Sequence, residues 1–298
     1  MDNRKLIHQI LLVLFLTSLS NNIFGECTSA GINVFPRTKT VFSNSIFIIE
    51  GYESSQSVIR NLNKSNAIYL TSGKDTIRLT VIKTIVSQFR LTQAILKPSS
   101  NLISGKYYKL NIDNLDEYEK SYFERNSIGW TVSAVADNQK PVWSKLPSYK
   151  SKGMIFYGCG PEVFVNFCAC ISDNSPVVVY SKVKNLKNNS ICDYYLDPDS
   201  CSFQLGHNMC SGEFEFEKGE KYEVIFSLMD GSGNISTETE PIIFTSPTDK
   251  DKIRFDEKKI NCECSPNESL GEKTPFLIII LIVSVGLIVL LKLKKKTK

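Results

Sequence analysis

With 298 residues, 42% of them hydrophobic and 22% charged, the chain has the composition of a globular protein of about two domains, which excludes a disordered or fibrous one. The formal charge of +4 is concentrated at the ends, where seven of the 35 basic residues and one of the 31 acidic residues lie in the first five and last seven positions. The remaining 28 basic and 30 acidic residues leave the middle near −2, a poor match for nucleic acid, which calls for clustered Lys and Arg.

In chain order, Arg4 and Lys5 precede the apolar stretch 10–16, and small and polar residues follow to Gly25. That is the layout of a secretory signal peptide, here residues 1–25. From residue 26 to 136 the periodicity is mostly two, with strand-like runs near 31–37, 45–51, 66–71, 76–83, 88–96, 106–112 and 129–135. Residues 54–63 and 113–125 read as short helical connections. Polar residues and Pro141 at 137–141 suggest a boundary. Strand-like runs resume near 153–157, 162–171, 177–184, 192–196, 203–205, 213–217, 221–229 and 240–246. Ser72-Gly73, Asp197-Pro198-Asp199 and Asp230-Gly231-Ser232-Gly233-Asn234 punctuate them as turns. The expected fold is all-β, two tandem β-sandwich domains at 26–136 and 137–247. Residues 248–273, charged and poor in apolar side chains, read as a stalk. The apolar run 276–291, followed by Lys292 and Lys294, predicts a transmembrane helix over 274–293 with a basic cytoplasmic tail at 294–298, so that the domains lie outside the cytoplasm.

All nine cysteines lie in the portion expected to be exported, so disulfides are the natural reading. Proximity in a sheet suggests Cys159 with Cys210, and Cys168 and Cys170 with Cys192 and Cys201. Cys27, Cys262 and Cys264 then remain near the ends, and Cys262 or Cys264 could link two chains into a dimer. A rival is a soft-metal (copper) site, since Cys168-Ala-Cys170, His207, Met209 and Cys210 are suitable Cu(I) ligands. A second rival is a thiol-dependent enzyme using Cys210 and His207.

The phrase Ala94-Ile95-Leu96-Lys97-Pro98, followed by Leu102-Ile103-Ser104-Gly105-Lys106-Tyr107-Tyr108, resembles the signature of bacterial Ig-like domains of surface-layer and other envelope proteins. The strand 222–229 running into the 230–234 turn is similar to tandem bacterial Ig-like or fibronectin-III-like repeats. The resemblance implies two Ig-like sandwiches and a structural or recognition role outside the cytoplasm. The cysteine content of the second half departs from most such repeats.

No phosphate loop, dinucleotide fingerprint or zinc-protease motif is present, and no cofactor is expected. Glu213, Glu215 and Glu217 alternate along one strand face and read as a solvated sheet surface. Asp230 with Asn234, and Asp197 with Asp199, offer loop oxygens for Ca²⁺, but neither pair supplies the six to eight that the ion takes. The sequence therefore predicts a non-catalytic, membrane-tethered binding or scaffolding protein. Its partner is an unnamed protein or envelope ligand, recognised through loops or an exposed strand edge.

Overall fold

Alternating apolar and polar side chains give each strand a dry face, and the architecture follows from how those faces are covered. The computed structural model describes residues 30–264 apart from 127, 134, 200 and 259. Its first half contains β1 (Gly31–Phe35), β2 (Thr40–Val41), β3 (Phe47–Tyr52), α1 (Gln56–Arg60), β4 (Ile68–Ser72), β5 (Asp75–Val86), β6 (Leu91–Pro98), β7 (Tyr107–Ile112), α2 (Glu117–Asn126) and β8 (Gly129–Val132). The strands form one sheet in the order β1-β3-β6-β5-β4-β7-β8-β2. β5 is the seam. It pairs with β4 up to Arg78 and with β6 from Leu79 onward, with a register shift between Val81 and Lys83. A bulge bends a strand and lets it pass from one layer to the next. The sheet thereby closes on a core in which Phe47, Ile49 and Leu96 meet Leu70, Leu110 and Trp130.

Trp130 anchors that core. Its ring lies 4.5 Å from that of Phe47, and its indole N–H donates to the Pro36 carbonyl at 2.9 Å. Trp130→Phe keeps an aromatic but strands that carbonyl and shrinks the filled volume. A loss of about 2 kcal/mol in urea unfolding is expected; an unchanged midpoint would refute this role.

The second half has β9 (Val142–Tyr157), β10 (Gly160–Ser172), β11 (Val177–Asn185), β12 (Ile191–Leu196), β13 (Ser202–His207), β14 (Lys221–Asp230) and β15 (Ile242–Thr245). Two antiparallel sheets, β13-β10-β9 and β12-β11-β14-β15, pack face to face. Phe167 of β10 stacks on Phe203 of β13 with centroids 5.7 Å apart, and Phe226 of β14 meets both edge-on. This is a β-sandwich-like arrangement, and the chain is all-β as expected.

Three elements differ from the expectation. β9 begins at Val142 rather than near 153, because pairing with the long β10 supplies a partner that its lysines and Pro147 disguise. Residues 213–217 form no ladder strand, although their alternation is real: Phe214 and Phe216 enter the core while Glu215 and Glu217 face outward. Residues 248–262 are not a free stalk. Ile253 N donates to Met154 O at 3.0 Å, Lys152 pairs with Asp251 at 3.5 Å, and Lys258 pairs with Glu162.

The halves also meet through packing rather than a bare linker. β3 and β6 are buried on both faces: Phe47, Ile49 and Leu96 enter their own core, while Ile48 and Ile95 join Phe35, Val178 and Met229 in a cluster shared by the two halves. The boundary residue Asp137 is itself buried. The described residues through Cys262 form one compact unit, and Glu263 and Cys264 belong to a second. The segments expected to be a signal peptide and a transmembrane helix lie outside the described residues. Among the described residues, no helix is long and apolar enough to cross a membrane.

Candidate functional site

A cleft of about 690 Å³ opens between β3 of the first half and the loop after β13 of the second, with Glu50, Tyr52, Glu162, Asp197, His207 and Glu213 in its walls. Gly206 makes the loop: its φ of +137° is one that side chains avoid, and a Cβ there would strike the Val163 carbonyl. Beyond it, the Asn208 side chain accepts from the backbone N–H of Cys210 and Ser211 at 2.7 and 2.9 Å. The first half then clamps the loop: Gly212 N donates to Phe89 O at 2.7 Å, Gln88 N donates to Glu213 O at 3.2 Å, and the Phe89 ring lies 4.6 Å from that of His207. Glu213 is therefore presented by backbone held from both sides.

The four carboxyl groups of the cleft have different surroundings. Asp197 pairs with Arg37 at 2.9 Å, and Glu162 pairs with Lys258 while accepting from Tyr157 at 3.2 Å. Glu50 accepts from Tyr194 Oη at 2.9 Å, Asn33 Nδ2 at 3.2 Å and Gln93 Nε2 at 3.4 Å, joining residues of both halves. Glu213 pairs with no cation among the described residues. Burial, aided by the negative charge of Glu50, pushes the Glu213 carboxyl up to about 8. Glu50 is raised by burial too, against the hydrogen bonds from Asn33 and Tyr194 and the charge of Arg37. Burial, then Glu50, raise the Tyr194 phenol strongly, so it remains a donor. At neutral pH the Glu213 carboxyl is thus held largely protonated, and an arriving cation would favour its ionised form.

The sulfur chemistry corrects the sequence reading. Cys168 is bonded to Cys262, not to Cys192 or Cys201, with Cα atoms 5.5 Å apart. Cys168 does lie opposite the core-facing Val165 and Phe167, but its partner comes from the segment read as a stalk, which proximity along the strands could not reveal. Cys170, Cys210 and Cys264 are also disulfide-bonded, whereas Cys159, Cys192 and Cys201 are free thiols, so a Cys159–Cys210 pair is ruled out. Cys262 is thus bonded within its own chain. The oxidised Cys168, Cys170 and Cys210 are lost as thiolate donors for copper, and Cys210 as a nucleophile. Burial, then the Asp193 charge, push the Cys192 thiol up to about 11, which makes it unreactive. His207 stays beside its own loop, with Nδ1 2.8 Å from Asn208 O.

Glu213 was read as part of a solvated row, and only Glu215 and Glu217 are exposed in that way. The sequence pattern marks out neither Glu50 nor Tyr194 as site residues. A lone acid after the apolar run Phe47-Ile48-Ile49 was the available signal for Glu50, whereas nothing in the sequence pairs it with a tyrosine 144 positions away.

No protein-family model and no curated protein matches the chain. Among solved structures, the pullulanase type I from Bacillus subtilis aligns over 72% of this chain and 25% of its own, at 10% identity and a TM-score of 0.22. The Yersinia pseudotuberculosis adhesin InvE aligns over 72% and 58%, at 11% identity and a TM-score of 0.19. The tandem Ig repeats of Dlar align over 71% and 96%, at 9% identity and a TM-score of 0.19. The chain spans about a quarter of the length of the pullulanase structures. The likeness extends to a coarse all-β resemblance and carries no functional argument.

Proposed function

We propose that this protein is a non-catalytic binding module, with two Ig-like halves held outside the cytoplasm by a C-terminal membrane helix, whose inter-half cleft takes a cationic group from a protein partner. The observation that carries the reading is Glu213, a carboxyl group without a cation partner among the described residues, set in a cleft with Glu50. Two docked sandwiches fix the walls in advance, which lowers the ordering cost of binding. The apolar run 276–291 and the lysines after it support the tether.

Spermidine and an arginine-rich peptide serve as probes on the detergent-solubilised full chain. Either should raise the melting temperature more at pH 8.5, where Glu213 is ionised, than at pH 6, and Glu213→Gln should abolish the difference. Equal shifts at both pH values, or a response that survives Glu213→Gln, would remove the cleft from consideration.

A further inference from the structure

One of the loop residues that the sequence offers for calcium, Asp230, acquires company in the fold. Asp137 from the boundary segment, Asp173 from the β10–β11 turn and Asp230 at the end of β14 each place a carboxylate oxygen within 4.8 Å of the other two. Asp137 is 2% exposed and Asp230 fully buried. No lysine, arginine or histidine among the described residues pairs with any of the three. Three carboxylates gathered in a largely dry place without a counter-charge repel one another.

Their hydrogen bonds satisfy only part of the set. Asp230 Oδ1 accepts from Ser232 N and Asn234 N, both at 2.8 Å, and its Oδ2 accepts from Asn234 Nδ2 at 2.7 Å. Asp173 Oδ1 accepts from the backbone and hydroxyl of Ser175, both at 2.8 Å. Asp137 Oδ1 accepts from Gln139 N at 3.0 Å and Asn174 Nδ2 at 3.4 Å. Asp137 Oδ2, in the same clustered carboxyl group, is buried and has no hydrogen-bond partner. A buried carboxylate oxygen left bare is costly, and a metal ion is the partner that would satisfy it and the net charge together.

We infer that Asp137, Asp173 and Asp230 form a calcium site at the junction of the two halves. All the donors are hard oxygens on loops and strand ends, and water completes the shell. That flexible, irregular set suits Ca²⁺; Mg²⁺ demands near-ideal octahedral geometry and gives up water reluctantly. The first half is attached directly: Asn44 Nδ2 donates to Asp137 O at 2.6 Å, Asn44 Oδ1 accepts from Asp137 N at 3.0 Å, and Ser232 Oγ donates to Asn44 Oδ1 at 3.2 Å. The ion would therefore hold the boundary segment, the second half and the β2–β3 loop of the first half as one body. This inference is independent of what the cleft binds.

The test is a calcium titration of the full chain in detergent after treatment with chelator, read by melting temperature and by calcium bound at equilibrium dialysis. One ion per chain and a saturable rise of about 5 °C in 2 mM CaCl₂ are expected, for an affinity in the submillimolar range of extracellular modules. Asp137→Asn should lose the rise, yet melt in chelator at or above the wild-type temperature because it removes a repelling charge. Should Asp137→Asn not fold, Asp173→Asn, at a half-exposed position, gives the same reading. The site is overturned by no rise and no bound calcium up to 5 mM, or by a variant that responds like the wild type. A Mg²⁺ response equal to that for Ca²⁺ overturns the choice of ion.

Discussion

Replacing Cys168 and Cys262 together by serine should destabilise the protein by up to about 4 kcal/mol, because the bond closes a loop with a sequence separation of 94 and the entropy it removes from the unfolded chain grows with loop length, less whatever constraint the remaining disulfides keep. For a chain of this size that is a fall of roughly 8–16 °C in melting temperature. The effect has a local counterpart. The bond fastens the end of the 248–262 segment to β10, while Lys258–Glu162 and the Ile253–Met154 hydrogen bond hold its middle. The Lys258 ammonium also lies 4.7 Å from the centre of the Phe164 ring. Without the bond these few contacts and the disulfide of Cys264 must hold a lysine-rich strip, so limited trypsin digestion should cut near Lys250–Lys258 before the rest of the chain. A double variant that melts within 2 °C of the wild type and shows no early cut would contradict both statements.

Glu213→Gln should stabilise the protein at pH 8.5 and change little at pH 4.5. The folded-state pKa of about 8 lies above the unfolded value of 4.5, so the folded chain keeps a proton that the unfolded chain has released. The contribution is therefore fully present below about pH 4.5 and disappears as the pH rises through 8. Glutamine has the shape of the neutral acid and cannot ionise, which flattens this part of the curve. Allowing for solvent in the cleft, the difference between variant and wild type at pH 8.5 should be about 2 kcal/mol, or 4–8 °C. Glu50 is raised by burial and also lowers stability with rising pH, so the comparison must be made against the wild type at each pH. Coincident melting curves for the two proteins from pH 4.5 to 8.5 would show that Glu213 is not held neutral by its surroundings.

Much of the fold was legible because alternation reports which face of a strand is dry. Val165, Phe167 and Ala169 enter the core as their spacing indicates, and so do Phe214 and Phe216. The same signal failed wherever burial has two sides or hydrogen bonding is at issue. Ile48 and Ile49 are both buried because two different layers cover β3, and residues 213–217 alternate without joining a ladder. Asp137 had every mark of a linker residue, polar and close to a proline, and is buried at the junction instead. Pro147 and the lysines of β9 concealed a strand that β10 stabilises from outside.

The linear chain by itself determined the all-β class and most strand positions. Both are set by side-chain sequence over a few residues, the range over which pleat, turn residues and hydrophobic alternation act. It also determined the charge distribution and the shortage of histidine. Only the tertiary structure decided that Cys168 meets Cys262, that Tyr194 reaches Glu50, and that Asp137, Asp173 and Asp230 converge. Each of those contacts joins positions more than thirty residues apart, where no local preference operates; each depends on how dry faces stack, and the Tyr194–Glu50 contact also on how the two halves dock.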